Sequence, residues 1–268
     1  MSLPLDAGRV HEGRGLTADL TAEVDAVVIG TGAGGAMVTR ELARAGLAVV
    51  ALEEGGHHTP RDFNQREERM LPLLFQDGGG RSTDDLAIRL LQGRGVGGST
   101  VHNTNLCKRT PEAILTLWRD QYGVSGASPE AMAPLFAQVE EELSVTLMGD
   151  DLRNGHNDLL RQAVEALGWR GGPLAHNRVG CQKSGFCELG CSYDAKQNAL
   201  KVLVPQALAA GARVVSDVRV EKVLHGGGAV RGVEAVALSA AGRPHRRVRL
   251  TAPLVVLAGS AIGSAALA

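Results

Sequence analysis

Aromatic residues are scarce in this chain: two Trp, two Tyr and four Phe make up 3% of 268 residues. That is too few for a base-stacking platform, and a net charge of −1 supplies no field to draw in nucleic acid or an anionic membrane. Long apolar runs are missing as well. Met1-Ser2-Leu3-Pro4-Leu5-Asp6 contains neither a basic nor an apolar signal region. The longest apolar stretch, from Pro253 onward, is interrupted by Gly259 and Gly263. Neither a secretory leader nor a membrane span is expected, and a cytoplasmic, reducing setting is. What remains is ordinary for a globular protein, with 44% hydrophobic and 21% charged residues and length enough for one large domain or two lobes. Glycine alone is plentiful, at 35 residues.

The glycines are placed rather than scattered. An apolar run from Val24 to Ile29 reads as a buried parallel strand, and Gly30, Gly32 and Gly35 follow it as G-x-G-x-x-G. Ala36 to Ala45 has the composition of a helix, and a second apolar run, Leu47 to Leu52, ends at Glu53. Each part has a task in holding a dinucleotide. Gly30 permits the turn, Gly32 lets backbone approach a pyrophosphate, and Gly35 allows helix and strand to pack closely. The helix N-terminus, through Ala33 and Gly34, offers N–H groups and a positive dipole end. Glu53 is an acceptor for the adenosine ribose hydroxyls.

Residues 1–20 carry no periodicity and read as an irregular lead-in. His57-His58 reads as surface loop, since no further ligand lies at metal-binding spacing. A second glycine-rich loop follows some sixty residues after the first, Gly93-Arg94-Gly95-Val96-Gly97-Gly98-Ser99-Thr100-Val101-His102-Asn103. Its backbone N–H groups can face phosphate or a flavin ring. Helices are expected from Pro111, from Ser128-Pro129, over Leu159 to Leu167 and over Ala195 to Ala210, their apolar stripes serving as ordinary core. Arg213 to Ser216 and Arg219 to Leu224 read as strands of an antiparallel meander. Val230 to Leu238 pairs with the latter across Gly226-Gly227-Gly228. Leu254 to Ala258 reads as a buried strand returning to the central sheet.

With both loops in view, the chain resembles the N-terminal part of the glucose–methanol–choline (GMC) family of FAD-dependent oxidoreductases. Val28-Ile29-Gly30-Thr31-Gly32-Ala33-Gly34-Gly35 with Leu52-Glu53 looks like the ADP-binding element. Arg94 through Gly97, Gly98 and Thr100 to Asn103 resembles the loop along the flavin and its pyrophosphate. Arg219 to Val223 resembles the strand whose backbone, at Val220, meets the adenine. Val256-Leu257-Ala258-Gly259-Ser260 looks like the start of a later family signature. The resemblance implies FAD as cofactor, a small-molecule alcohol as substrate and hydride transfer to flavin N5. It places the catalytic His and its His or Asn partner beyond Ala268, so a chain cut short before its substrate domain, inactive alone, is expected.

Two departures from the family pattern stand out. His102 sits where an aliphatic residue commonly precedes the Asn. In choline oxidase-like members a histidine there is bonded to the flavin 8α-methyl; a packed or hydrogen-bonded ring is the other reading. The second departure is C-x5-C-x3-C at Cys181, Cys187 and Cys191, with Cys107 upstream. That spacing resembles sugar-dehydrogenase flavoproteins carrying an iron–sulfur cluster, which would pass electrons to an acceptor protein. Structural thiols, a disulfide in the insertion, or zinc with a fourth ligand are the competing readings.

The expected architecture is α/β: an FAD/NAD(P)-binding Rossmann-like parallel sheet with an antiparallel β-meander and a mainly helical insertion. Residues 21–110 carry the βαβ unit and second loop, 111–205 the helical and cysteine-containing insertion, and 206–268 the return strands. Three alternatives stay open: another FAD-dependent family such as ketosteroid dehydrogenases or hydroxylases, a nicotinamide-dependent dehydrogenase, and a non-catalytic electron-transfer module completed by another chain.

Overall fold

A computed structural model describes residues 5–268, so the first four residues of the lead-in lie outside the described residues. In chain order the elements begin with β1 (Val10–Glu12), β2 (Leu20–Glu23), β3 (Ala26–Ile29), α1 (Ala33–Arg44), β4 (Val49–Leu52) and α2 (Glu67–Leu74). Next come β5 (Leu106–Cys107), α3 (Glu112–Tyr122), α4 (Pro129–Glu142), β6 (Val145–Leu147), α5 (Gly155–Ala166) and β7 (Ala175–Asn177). The last are α6 (Leu203–Ala209), β8 (Arg213–Ser216), β9 (Val218–Gly226), β10 (Ala229–Leu238), β11 (Pro244–Thr251), β12 (Leu254–Leu257) and α7 (Ser260–Leu267). The chain divides into two compact units, residues 104–185 with 195–197 forming the smaller one.

The larger unit is built on a five-stranded sheet in the order β1-β8-β4-β3-β12, every pair parallel. The apolar runs of β3 and β4 become its centre because a parallel strand is covered on both faces and has no side to give to water. Alternate residues go opposite ways. Val28, Val49, Ala51 and Val214 pack with Ala36 and Ala43 of α1 and Leu203, Val204 and Ala207 of α6. Val27, Ile29, Val50, Leu52 and Val215 pack against Val220, Val233, Val248 and Leu250 of a second sheet. That sheet runs β2-β11-β10-β9, with β9, β10 and β11 antiparallel and β2 joining β11 in parallel. Together they give three layers: helices, parallel sheet, meander.

The larger unit corrects four expectations. The lead-in is not irregular throughout, since β1 pairs with β8 and completes one sheet edge. Arg213–Ser216 belongs to the parallel sheet, not the meander. β12 pairs in parallel with β3 as expected, but it is the opposite edge and its Leu254 and Leu257 are well exposed. Of the helix expected over residues 195–210, only the last part forms, as α6.

In the smaller unit a short antiparallel sheet, β5-β7-β6, is accompanied by α3, α4 and α5. Ser128 caps α4 by accepting the Ala131 N–H, with Pro129 in the first turn, and Asn154 caps α5 in the same way through Asn157. The apolar stripes of α4 and α5 are not core: neither helix buries a residue, and Leu135, Leu159 and Leu160 are exposed. Among the described residues no helix is long and apolar enough to cross a membrane.

Candidate functional site

The candidate site lies in the larger unit, where the C-terminal ends of β3 and β4 meet the two glycine loops. Gly30 turns the chain at φ +98°, and a Cβ there would stand 2.5 Å from the Ala258 carbonyl oxygen. A Cβ on Gly35 would stand 2.0 Å from the Gly30 oxygen, so α1 begins directly over the turn only because both residues are glycine. Ala258 thereby acts as a packing neighbour of the turn. Gly32 is the N-cap of α1 and no side chain caps that end. The first-turn N–H groups of Ala33 and Gly34 therefore point at the site with their dipole uncompensated. A Cβ on Gly34 would meet nothing within 4 Å.

The second loop folds against the first. A Cβ on Gly98 would lie 2.8 Å from the Gly32 Cα, and one on Gly55 would lie 2.2 Å from the Gly95 nitrogen. The Gly97 N–H donates to Thr31 Oγ1 at 3.2 Å. Thr100 is spent inside the loop: its hydroxyl donates to the Gly97 carbonyl at 2.6 Å and accepts the Ala199 N–H at 3.0 Å. Arg94 keeps a buried Nε with no hydrogen-bond partner, beside a small hollow lined by Gly56, His58, Gly95 and Gly98. A cationic group with an unspent buried donor next to bare glycine backbone suits an anion such as a pyrophosphate.

Glu53 was expected to accept from ribose hydroxyls. The residue is 7% exposed and its carboxylate is engaged by four donors of the protein. Oε2 accepts the Thr31 N–H at 3.0 Å and the Thr31 hydroxyl at 2.8 Å; Oε1 accepts the N–H groups of Gly55 at 3.1 Å and Gly95 at 3.2 Å. Burial pushes its carboxyl above the ordinary 4.5, against the pull of those four donors. Val220 stands two residues along strand β9 from Val218, whose N–H donates to the Glu53 carbonyl at 2.8 Å, so β9 reaches the same region. His102 is buried at 5% exposure with its ring against Phe75, centroids 3.9 Å apart. Asn103 is exposed, its N–H bonded to the Ser99 carbonyl at 3.1 Å.

Sequence reasoning missed two contributors. Thr31 carries the only side-chain hydroxyl in the first glycine turn and is 1% exposed, a signal that it serves inside the fold. Arg14, from the lead-in, donates through Nε at 2.8 Å and Nη2 at 2.6 Å to the two oxygens of Asp217. A Cβ on Gly56 would stand 2.7 Å from both Arg14 Nη2 and His58 Nε2, so that glycine is pinned between them. His57 and His58 are accordingly half-buried rather than surface groups, and burial holds both below the ordinary 6.5.

The iron–sulfur reading of the cysteines finds no support. Among the described residues no group of three or more His, Cys, Asp and Glu side chains is placed to hold a metal ion, which gives a cluster at Cys181, Cys187 and Cys191 no support. Nor is any of the four cysteines joined in a disulfide. Cys181, in the smaller unit, is engaged by the Arg178 guanidinium at 3.7 Å and the Lys183 N–H at 3.5 Å. Burial raises the Cys107 thiol, which donates to Asn177 Oδ1 at 3.6 Å.

Comparison with known proteins then assigns the chain, for the GMC oxidoreductase family profile matches residues 71–268. The chain belongs to the GMC oxidoreductases. An uncharacterised GMC-type oxidoreductase of Mycobacterium tuberculosis is 41% identical over 213 residues, covering 79% of this chain and 34% of that protein. A long-chain-alcohol oxidase of Arabidopsis thaliana is 27% identical over 263 residues, covering 93% of this chain and 35% of the relative. This chain thus spans about a third of the length of these curated relatives. The crystal structure of pyridoxine 4-oxidase from Mesorbium loti shares the fold, with a TM-score of 0.62, 17% identity, and coverage of 88% of this chain and 49% of that one. Membership supports an FAD-dependent oxidoreductase, which decides against the other flavoprotein families and the nicotinamide-dependent dehydrogenase.

Proposed function

We infer that this chain is the cofactor-holding part of a GMC-type oxidoreductase that oxidises an alcohol to a carbonyl compound. The observation that carries the reading is the double cradle: two glycine loops held together at the uncapped N-terminus of α1, beside the unspent Nε of Arg94. When bound, FAD supplies a hydride acceptor at N5, so that an alcohol gives up hydride from its carbinol carbon and a proton from its hydroxyl.

The chain's own residues hold rather than react. Ala33 and Gly34 offer N–H groups to the pyrophosphate, with Gly32, Gly35, Gly97 and Gly98 letting backbone come close. Arg94 supplies the opposing charge. Val220 presents backbone to the adenine, and His102 and Asn103 lie at the flavin end of the second loop. The base that takes the hydroxyl proton is assigned outside residues 1–268, by resemblance to the family. An alcohol substrate is consistent with the Arabidopsis relative, which is named for long-chain alcohols.

The deciding experiment is a visible absorbance spectrum of the purified protein, followed by chromatography of the released chromophore. A flavin spectrum with FAD released supports the assignment. A protein that is colourless and takes up no added FAD would overturn it.

A further inference from the structure

Thr31 occupies a variable position of the G-x-G-x-x-G turn, yet its side chain is enclosed and used twice. Its hydroxyl donates to Glu53 Oε2 at 2.8 Å and accepts the Gly97 N–H at 3.2 Å. Its backbone N–H also reaches Glu53 Oε2, at 3.0 Å. The other carboxylate oxygen takes N–H groups from Gly95 at 3.2 Å and Gly55 at 3.1 Å. Two side chains therefore join the first glycine turn to two separate points of the second loop. A hydroxyl fits this place because one group must donate in one direction and accept from another. A carboxyl group fits its own place because all four neighbours are donors.

We propose that Thr31, acting with Glu53, is a positioning residue for the flavin nucleotide: the pair locks the second glycine loop onto the first, fixing the cradle before the cofactor arrives. The assignment rests on the cofactor reading above. Without the lock, Gly97 and Gly95 would each hold a buried N–H short of an acceptor, and the loop would move to find water. Their spacing from Gly32 would then be restored only at the expense of binding affinity. A ribose hydroxyl would reach Glu53 only as a further donor on a carboxylate that already accepts four, so loop positioning is its first task.

The test compares T31V, which keeps the volume but loses the hydroxyl, with T31S, which keeps the hydroxyl, in the full 268-residue chain. Amide hydrogen exchange by NMR, without cofactor, reads the lock directly. Fluorescence titration with FAD reads its consequence. Slow exchange at Gly97 is expected in wild type and T31S, with exchange at least roughly tenfold faster in T31V, and an FAD dissociation constant raised roughly tenfold in T31V and little changed in T31S. T31S behaving like T31V would overturn the proposal, because packing of the methyl group would then be the cause. Fast Gly97 exchange in wild type would overturn it with no variant needed, which covers a T31V that fails to fold. A wild-type chain that protects Gly97 yet takes up no FAD would overturn the cofactor reading and with it the purpose of the lock. A T31V chain that binds FAD as wild type does would overturn the lock alone.

Discussion

Gly98 is folded so closely onto Gly32 that a Cβ on it would stand 2.8 Å from the Gly32 Cα, and its φ of +53° is one that L side chains rarely adopt. Both facts oppose any side chain there. A Gly98→Ala substitution adds a left-handed strain of about 1–2 kcal/mol and forces the two glycine loops apart. Loss of FAD binding by at least roughly tenfold is expected, with a lowered melting temperature. Gly34→Ala is the control, since a Cβ there meets nothing within 4 Å, and should leave the melting temperature nearly unchanged. Equal thermal stability of the two variants in differential scanning calorimetry would contradict the close approach.

Arg14 holds the buried Asp217 carboxylate by two hydrogen bonds, with the aspartate side chain 8% exposed and the arginine 36%. Asp217 also stands at φ 55°, just where β8 passes into β9. Removing the arginine leaves a buried negative charge without its partner, which costs more than a surface pair would. Arg14→Met should destabilise the fold by about 2 kcal/mol in urea titration, discounted for Arg14's partial exposure. The double variant R14M/D217N should recover part of that loss, because the stranded charge is gone. No change in the urea midpoint of Arg14→Met would show that the pair is ornamental.

How much of this could be read from the residues alone depends on whether the information is local. The runs Val24 to Ile29 and Leu47 to Leu52 announce central parallel strands, because continuous apolarity leaves no face for water. The three-glycine turn at Gly226 to Gly228 likewise announces the β9–β10 hairpin. β1 was not legible: Val10-His11-Glu12 has no pattern of its own and becomes a strand only by pairing with Val214 to Ser216, two hundred residues away. Glu53 was legible as an acceptor near the glycines, but not which donors it would take, since that depends on how two distant loops fold together. The cysteine spacing left several readings open for the converse reason. Regular intervals along a chain do not bring thiols to one point.

His58 lines the hollow beside Arg94 and Gly95, and its burial keeps it below the ordinary 6.5. Asp62 and Asp217 pull it upward, while Arg14 and His57 push it further down. A lowered value means the folded chain binds fewer protons than the unfolded one. The stability His58 contributes is therefore fully present above about pH 6.5 and is lost as pH falls toward its folded value. His58→Gln removes the titration, so the stability difference between wild type and variant should shrink or reverse between pH 8 and 5, read by urea unfolding at fixed salt. Parallel pH profiles for the two proteins would mean His58 charges as easily when folded as when not.

His102 admits two readings, a covalent link to the flavin or a packed ring. His102 is 5% exposed and its ring lies against Phe75 with centroids 3.9 Å apart at an interplanar angle of 40°; Phe75 itself belongs to a buried cluster with Leu74 and Val101. A ring so enclosed gains from packing and gives up little surface to a ligand, so we expect it to support the second loop non-covalently. His102→Leu, similar in bulk and apolar, should therefore keep FAD bound with affinity reduced by no more than a few-fold. Acid precipitation of the wild-type holoprotein decides between the two readings. Colour leaving with the supernatant is the expected result; a yellow pellet from wild type that becomes colourless in His102→Leu would establish the covalent bond and overturn the packed reading.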